Sequence, residues 1–176
     1  MLTIGHSNRP LREFLDMLKA HGVGLLVDIR TIPRSRYNPQ FNRETLPQAL
    51  AAEGIAYEHM PGLGGLRHPQ KDSPNTGWRN ASFRGYADYM QTEEFRQNLE
   101  KLVSVSEGSQ TAIMCAEAVP WRCHRSLVAD ALIVRGIPVS HIMSMTKADL
   151  HRLTPFARVR GKQVTYPATD PELFSG

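Results

Sequence analysis

A chain of 176 residues is long enough for one domain with a single sizeable core. Its 41% hydrophobic and 22% charged residues are ordinary for a soluble globular protein, and no apolar run approaches the roughly 20 residues that cross a bilayer. The net charge of +4 is mildly basic, and arginine supplies 16 of the 21 positive charges. Arginine's planar fork suits phosphate and carboxylate better than lysine's point charge. The first residues, MLTIGHSNRP, lack the pattern of a signal peptide, so the cytoplasm is the expected compartment and a reducing one. Its two cysteines are therefore expected as free thiols, with a transient redox pair as the alternative.

Leu2 to Gly5 reads as a first strand with His6 directly after it. Ser7 or Asn8 is placed to cap a helix whose Leu11, Phe14, Leu15 and Leu18 share one face, and Gly22 ends it. Gly24 to Ile29 is a near-continuous apolar run, the pattern of a buried parallel strand, with Asp28 near its end and Arg30 beyond. The basic loop Thr31 to Arg43 carries Arg34. Thr45 to Gln48 fits a capping box, and a third strand, Ile55 to Glu58, is followed by His59. Met60 to Ser82 is rich in proline and glycine and carries Arg67 and Trp78. A stretch of that length without regular structure reads as a lid rather than a passive linker. Helices are predicted over Phe83 to Met90 and, capped by Thr92, through Val103.

Thr111 to Arg135 organises the rest: an apolar strand, a polar turn and an amphipathic helix beginning near Arg122. A fifth strand spans Ile137 to Met143, and Lys147 to Leu153 reads as helical. The tail contains a short extended run, Gln163 to Tyr166. Strands alternating with helices imply a single α/β domain over residues 1–155. It would hold a mostly parallel sheet of about five strands with helices on both faces, and residues 156–176 would form an extension. His6, Asp28 with Arg30, His59, and Cys115 with Glu117 all follow strand ends. Parallel strands would bring them to one edge, where such sheets place their ligands.

Cys115 admits three readings: a small core residue, a nucleophile activated by a helix N-terminus and Arg122, or a metal or redox ligand. The negative charge of Glu117 opposes the second. A phosphatase-type loop is excluded, because Arg122 falls one residue too late after Cys115 and the loop has no glycine. By helical phase His124 lies on the buried face in the first turn, pointing towards the sheet edge. Arg122 and Arg125 at a helix N-terminus favour an anion. A zinc site is not demanded, since Cys123 and His124 are adjacent and no second ligand pair has the usual spacing. Arginines interleaved with aromatics such as Trp78 can hold a nucleotide or nucleic acid, or can be a solvated surface.

The motifs GHS, VDIR, PRSR, PGLGG with Arg67, FRGYADYM and MCAE followed by CHR resemble the family called domain of unknown function 488. The resemblance covers about Leu2 to Pro155 and implies a single α/β domain, with no activity attached. The expectation is an enzyme acting on a phosphate-bearing substrate, a nucleotide or nucleic acid. Arg30, Arg34, Arg67, Arg122, Arg125 and Trp78 would bind it. Cys115, Glu117, His124, Asp28 and His6 are the candidate catalytic groups. A non-catalytic nucleic-acid binder and a thiol or metal redox protein are the alternatives. The sequence names no cofactor and no oligomeric state, and it points to no membrane.

Overall fold

In the computed structural model, which describes residues 1–168, the chain begins β1 (Leu2–Gly5), α1 (Leu11–Ala20), β2 (Leu25–Asp28), α2 (Leu46–Ala52) and β3 (Ala56–His59). It continues through α3 (Ala81–Tyr89), α4 (Glu93–Val105), β4 (Thr111–Cys115) and α5 (Arg125–Ile133). Four short strands follow: β5 (Ser140–Ile142), β6 (Ala148–Leu150), β7 (Arg158–Arg160) and β8 (Gln163–Thr165). No helix among the described residues is long and apolar enough to cross a membrane.

β1 to β6 form one sheet in the order β3-β2-β4-β1-β5-β6. The first five strands are parallel, because each crossover carries the chain back to the same end before the next begins. β1, β2 and β4 are buried along their whole length, which is why they read as apolar runs without alternation. Alternate side chains feed two separate cores. Ile4, Leu26 and Met114 pack with Phe14 and Leu18 of α1 and Leu46 and Leu50 of α2. Val27, Ile113 and Cys115 pack on the other face, with Leu99 of α4 and Leu127, Val128 and Leu132 of α5. The fold is thus an α/β domain with helices on both faces.

The sixth strand corrects the reading of Lys147 to Leu153 as helical. Ala148–Leu150 instead pairs antiparallel with β5, His141 opposite Asp149. A tight return at Lys147, whose carbonyl accepts from the Met143 N–H at 2.9 Å, puts an open strand edge within reach, and that edge outweighs a weak helical pattern. The expected extended run near Gln163 is β8, paired with β7 in a hairpin. Val164 and Tyr166 bury themselves in the α5-side core. Residues 169–176 of the expected extension lie outside the described residues.

Helix starts follow local chemistry unevenly. Thr92 caps α4 as expected, its side chain accepting from the Phe95 N–H at 3.2 Å. Neither Ser7 nor Asn8 caps α1, which begins at Leu11 directly after Pro10 with no side-chain cap. The Thr45 hydroxyl bonds the Pro39 and Asn42 carbonyls instead of capping α2.

Candidate functional site

β1 and β4 are neighbours, but α1 leaves β1 across one face and α5 leaves β4 across the other. Such a divergence opens a crevice at the carboxyl ends of the strands. Beyond it the backbone ladder continues: the His6 N–H bonds the Cys115 carbonyl at 3.0 Å and the Ser7 N–H bonds Ala116 at 2.9 Å. Gly5 lets the Glu117 carbonyl pass so close that a β-carbon would collide with it. Two adjoining clefts lie here. One, of about 370 Å³, is lined by Cys115, Glu117, Arg122, Cys123 and His124; the other, of about 520 Å³, by His6, Ser7, Arg34 and Asn38. They share Arg30, Ile32, Ala116 and Glu117.

At the floor of the first cleft the sulfurs of Cys115 and Cys123 are 2.6 Å apart. Both are free thiols. Arg125 Nη1–H donates to Cys115 Sγ at 2.7 Å. The rest of that guanidinium is held by the carbonyls of Glu117 and Ala118 and by Thr3 Oγ1, the last at 3.2 Å. Arg125 is 1% exposed, and no carboxylate among the described residues pairs with it. A buried charge is ordinarily paired, and Cys115 is the ionisable group in contact with this one. Burial raises the Cys115 thiol, but the hydrogen bond from Cys123 and the Arg125 charge outweigh it and bring it below its ordinary range. Burial, the bond to Cys115 and the Cys115 charge push Cys123 well above its own.

The helix terminus competes for the other thiol, since the Arg125 backbone N–H reaches Cys123 Sγ at 3.5 Å. A full guanidinium charge at contact outweighs the roughly half charge of a helix N-terminus, so Cys115 ionises first. α5 begins at Arg125 rather than near Arg122; Pro120–Arg122 forms a separate 3₁₀ turn.

Asp28, Arg30 and His6 form a closed network beside the thiols. Asp28 Oδ1 accepts from the Arg30 backbone N–H and Nε, and Oδ2 from Arg30 Nη2 and the Tyr57 hydroxyl, between 2.6 and 3.1 Å. Arg30 Nη1–H reaches His6 Nε2 at 3.1 Å. Guanidinium only donates, so the proton of His6 sits on Nδ1 and goes to the Ser7 carbonyl at 2.7 Å. Burial chiefly, against the Ser7 bond, lowers His6 to about 4. The Asp28 carboxylate is saturated and both His6 nitrogens are committed. These groups position the edge and have no lone pair to spare for substrate.

A family model described as domain of unknown function DUF488 matches residues 10–132. The chain belongs to the DUF488 family. Comparison with curated proteins and with solved structures finds no match. The matched span of this DUF488 chain contains Asp28, Arg30, both cysteines, His124 and Arg125, and it excludes Thr3 and His6.

The remaining expected residues of the DUF488 chain divide between cleft and scaffold. His124 lines the thiol cleft; its Nδ1 is 3.6 Å from Cys123 Sγ, and its buried Nε2 has no hydrogen-bond partner among the described residues. Burial chiefly lowers it to about 4, leaving it neutral near pH 7. Glu117 turns its carboxylate outward, accepting from the Val119 N–H at 3.2 Å; its backbone carbonyl is what meets Arg125. Arg122 and Arg34 line the clefts with side chains that make no hydrogen bond or ion pair among the described residues. Arg67 instead stacks on the Tyr89 ring at 3.5 Å. Trp78 packs against Phe83, Phe156 and Tyr166, away from the thiols.

The segment carrying both is anchored. Buried Asp88 accepts from the Gln70 N–H, the Ser73 hydroxyl and the Asn75 amide, while Gly65 and Leu66 form part of the cleft wall. Gly65 is required there because a β-carbon would strike the His124 ring. Cys123 stands beside His124 in the sequence, and its eight-residue step from Cys115 does not by itself decide between two separate thiols and a pair. No group of three His, Cys, Asp or Glu among the described residues is placed to hold a metal ion.

Proposed function

We propose that this protein is a thiol enzyme, with Cys115 as attacking thiolate and Cys123 as resolving thiol, acting on a disulfide. The observation that carries the reading is the buried Arg125 guanidinium, unpaired by any carboxylate among the described residues, at 2.7 Å from Cys115 Sγ. The Cys115 thiolate attacks one sulfur of the substrate, forming a mixed disulfide and expelling the other sulfur as a thiolate that takes a proton from water. Cys123 then attacks Cys115 Sγ, its proton passing to the departing sulfur, which leaves as the second substrate thiol. Two electrons pass from the protein dithiol to the substrate. A dithiol reductant returns the protein to its starting state.

Cys115 and Cys123 are both buried, and that low-dielectric setting strengthens the Arg125 interaction. To test the reading, reduced protein is mixed with 2-hydroxyethyl disulfide and followed by mass spectrometry. The wild type should lose two hydrogens, Cys123→Ser should stall as a Cys115 adduct, and Cys115→Ser should stay unmodified. Thiols that remain inert in the native wild type would refute it.

A second reading, an enzyme acting on a phosphate-bearing substrate such as a nucleotide or nucleic acid, is favoured by the uncommitted Arg34 and Arg122 at the rims. Arg30, Arg67 and Arg125 support it less, being engaged internally. Nucleotide affinity that falls in Arg34→Ala and Arg122→Ala would support it, and the absence of binding by the wild type would end it. The same rim arginines suit a non-catalytic binder, whose affinity would survive Cys115→Ser.

A further inference from the structure

Behind Arg125 runs an unbroken line of hydrogen bonds that the thiol chemistry above does not use. Arg125 Nε–H meets Thr3 Oγ1 at 3.2 Å, and Thr3 Oγ1 lies 2.7 Å from His141 Nδ1. His141 Nε2 lies 2.9 Å from His151 Nδ1, and His151 Nε2 lies 2.8 Å from Asp130 Oδ1. Asp130 is then fixed by the Thr154 N–H at 3.1 Å and, on its other oxygen, by the Tyr166 hydroxyl at 2.8 Å. Thr3, Arg125, Asp130 and His141 are all buried. β1, β5 and α5 each supply a member, Thr3 and His141 being register partners in the sheet.

The direction of every bond follows from its ends. Arginine only donates, so the Thr3 oxygen accepts from Nε and its own proton goes to His141 Nδ1. A carboxylate only accepts, so His151 donates through Nε2 and accepts through Nδ1 from His141 Nε2–H. With both rings neutral the line has one consistent polarity from guanidinium to carboxylate, and all four ring nitrogens are occupied. Burial chiefly, then proximity to His151 and to the Arg125 guanidinium, lowers His141 to about 4, consistent with a neutral ring. The far end is accessible, since His141, Asp149 and His151 line a separate cavity of about 460 Å³ beside Trp78 and Trp121.

We infer that Asp130, His151, His141 and Thr3 are positioning residues that aim the Arg125 guanidinium at Cys115 and so set the reactivity of that thiol. This rests on the thiolate reading of Cys115 proposed above. Arg125 is tethered at three corners, two by backbone carbonyls of the turn after β4 and one by Thr3. Thr3 is the corner that ties it to the sheet. Charged and titratable groups facing Cys115 are Arg125 and Cys123 in contact, with Arg30, Glu117, Arg122 and His124 around the cleft. Those facing the two histidines are Asp130, Asp149 and Arg125. Replacing Thr3 alters none of these charges, so its effect on the thiol reads geometry alone.

The experiment is the pH profile of Cys115 alkylation by iodoacetamide in wild type, Thr3→Val and Thr3→Ser. Val matches the shape of Thr without the hydroxyl, and Ser keeps the hydroxyl. Thr3→Val should move the half-maximal pH up by about half to one unit, a three- to tenfold loss of rate well below that pH, and Thr3→Ser should restore it. His151→Ala, at the partly exposed far end of the line, should shift the profile the same way and serves if Thr3→Val does not fold. A normal wild-type profile below the usual thiol range with unchanged variants overturns the relay while leaving the thiolate reading intact. A wild-type profile in the ordinary thiol range removes both.

Discussion

The guanidinium of Arg125 contacts the sulfur of Cys115 and, among the described residues, has no carboxylate for a counter-ion. Removing the charge should therefore reverse the ionisation of the thiol. In Arg125→Met, burial of Cys115 is opposed chiefly by the hydrogen bond from Cys123, and alkylation at pH 7 should slow by tenfold or more. The carbonyls of Glu117 and Ala118 also lose their donors. Stability by denaturant titration should fall by about 3 kcal/mol or more, at about 1–3 kcal/mol for each buried group left unpaired.

Asp28 and Arg30 form a buried pair whose bonds are all internal. Asp28→Asn leaves Arg30 charged and under-paired, and should cost about 3–5 kcal/mol in urea unfolding. Cys115 alkylation in the folded variant should keep its rate. A selective loss of thiol reactivity with stability intact would move Asp28 from scaffold to chemistry.

Glu117→Gln should be nearly silent, because the carboxylate faces solvent and only its backbone carbonyl enters the thiol site. The expected change is within about 0.5 kcal/mol in stability, with no shift in the thiol pH profile. The contrast with Arg125→Met separates a charge near the sequence of Cys115 from a charge near its sulfur.

Three histidines, His6, His124 and His141, have folded values lowered to about 4, in each case by desolvation first. The unfolded chain takes up protons near 6.5 while the folded one does not, so below that pH the unfolded state binds more protons. The stability these neutral rings confer is complete above about 6.5 and is lost as pH falls towards 4. Thermal unfolding midpoints should accordingly be flat from pH 7 to 8 and drop steadily from about pH 6.5 to 4. A midpoint that rises on acidification through that range would contradict the burial of these rings.

Gly5→Ala should disturb the site more than its location in a strand suggests. The added methyl meets the Glu117 carbonyl, which cannot retreat without releasing Arg125. Loss of stability and a raised Cys115 profile should appear together.

The parallel core of the fold was legible because β1, β2 and β4 are buried on both faces and so appear as apolar runs. Strand ends then predicted the shared edge where His6, Asp28 and Cys115 meet. What the chain order hides is which polar groups consume one another. Asp28, Arg30 and His6 look like free chemistry in sequence, yet their hydrogen bonds close on themselves. Arg125 reads in sequence as an anion-binding residue, and only tertiary packing aims it at Cys115. Thr3, His141 and His151 carry no local motif, since their relation arises from the register of β1 on β5 and the return of β6.

The asymmetry of the two thiols is the centre of this account, and limiting iodoacetamide at pH 7 reads it directly. Peptide mapping of the native reduced protein should find the label on Cys115 over Cys123 by at least about tenfold, the ratio for one unit of difference in acidity. Equal labelling, or preference for Cys123, would contradict it.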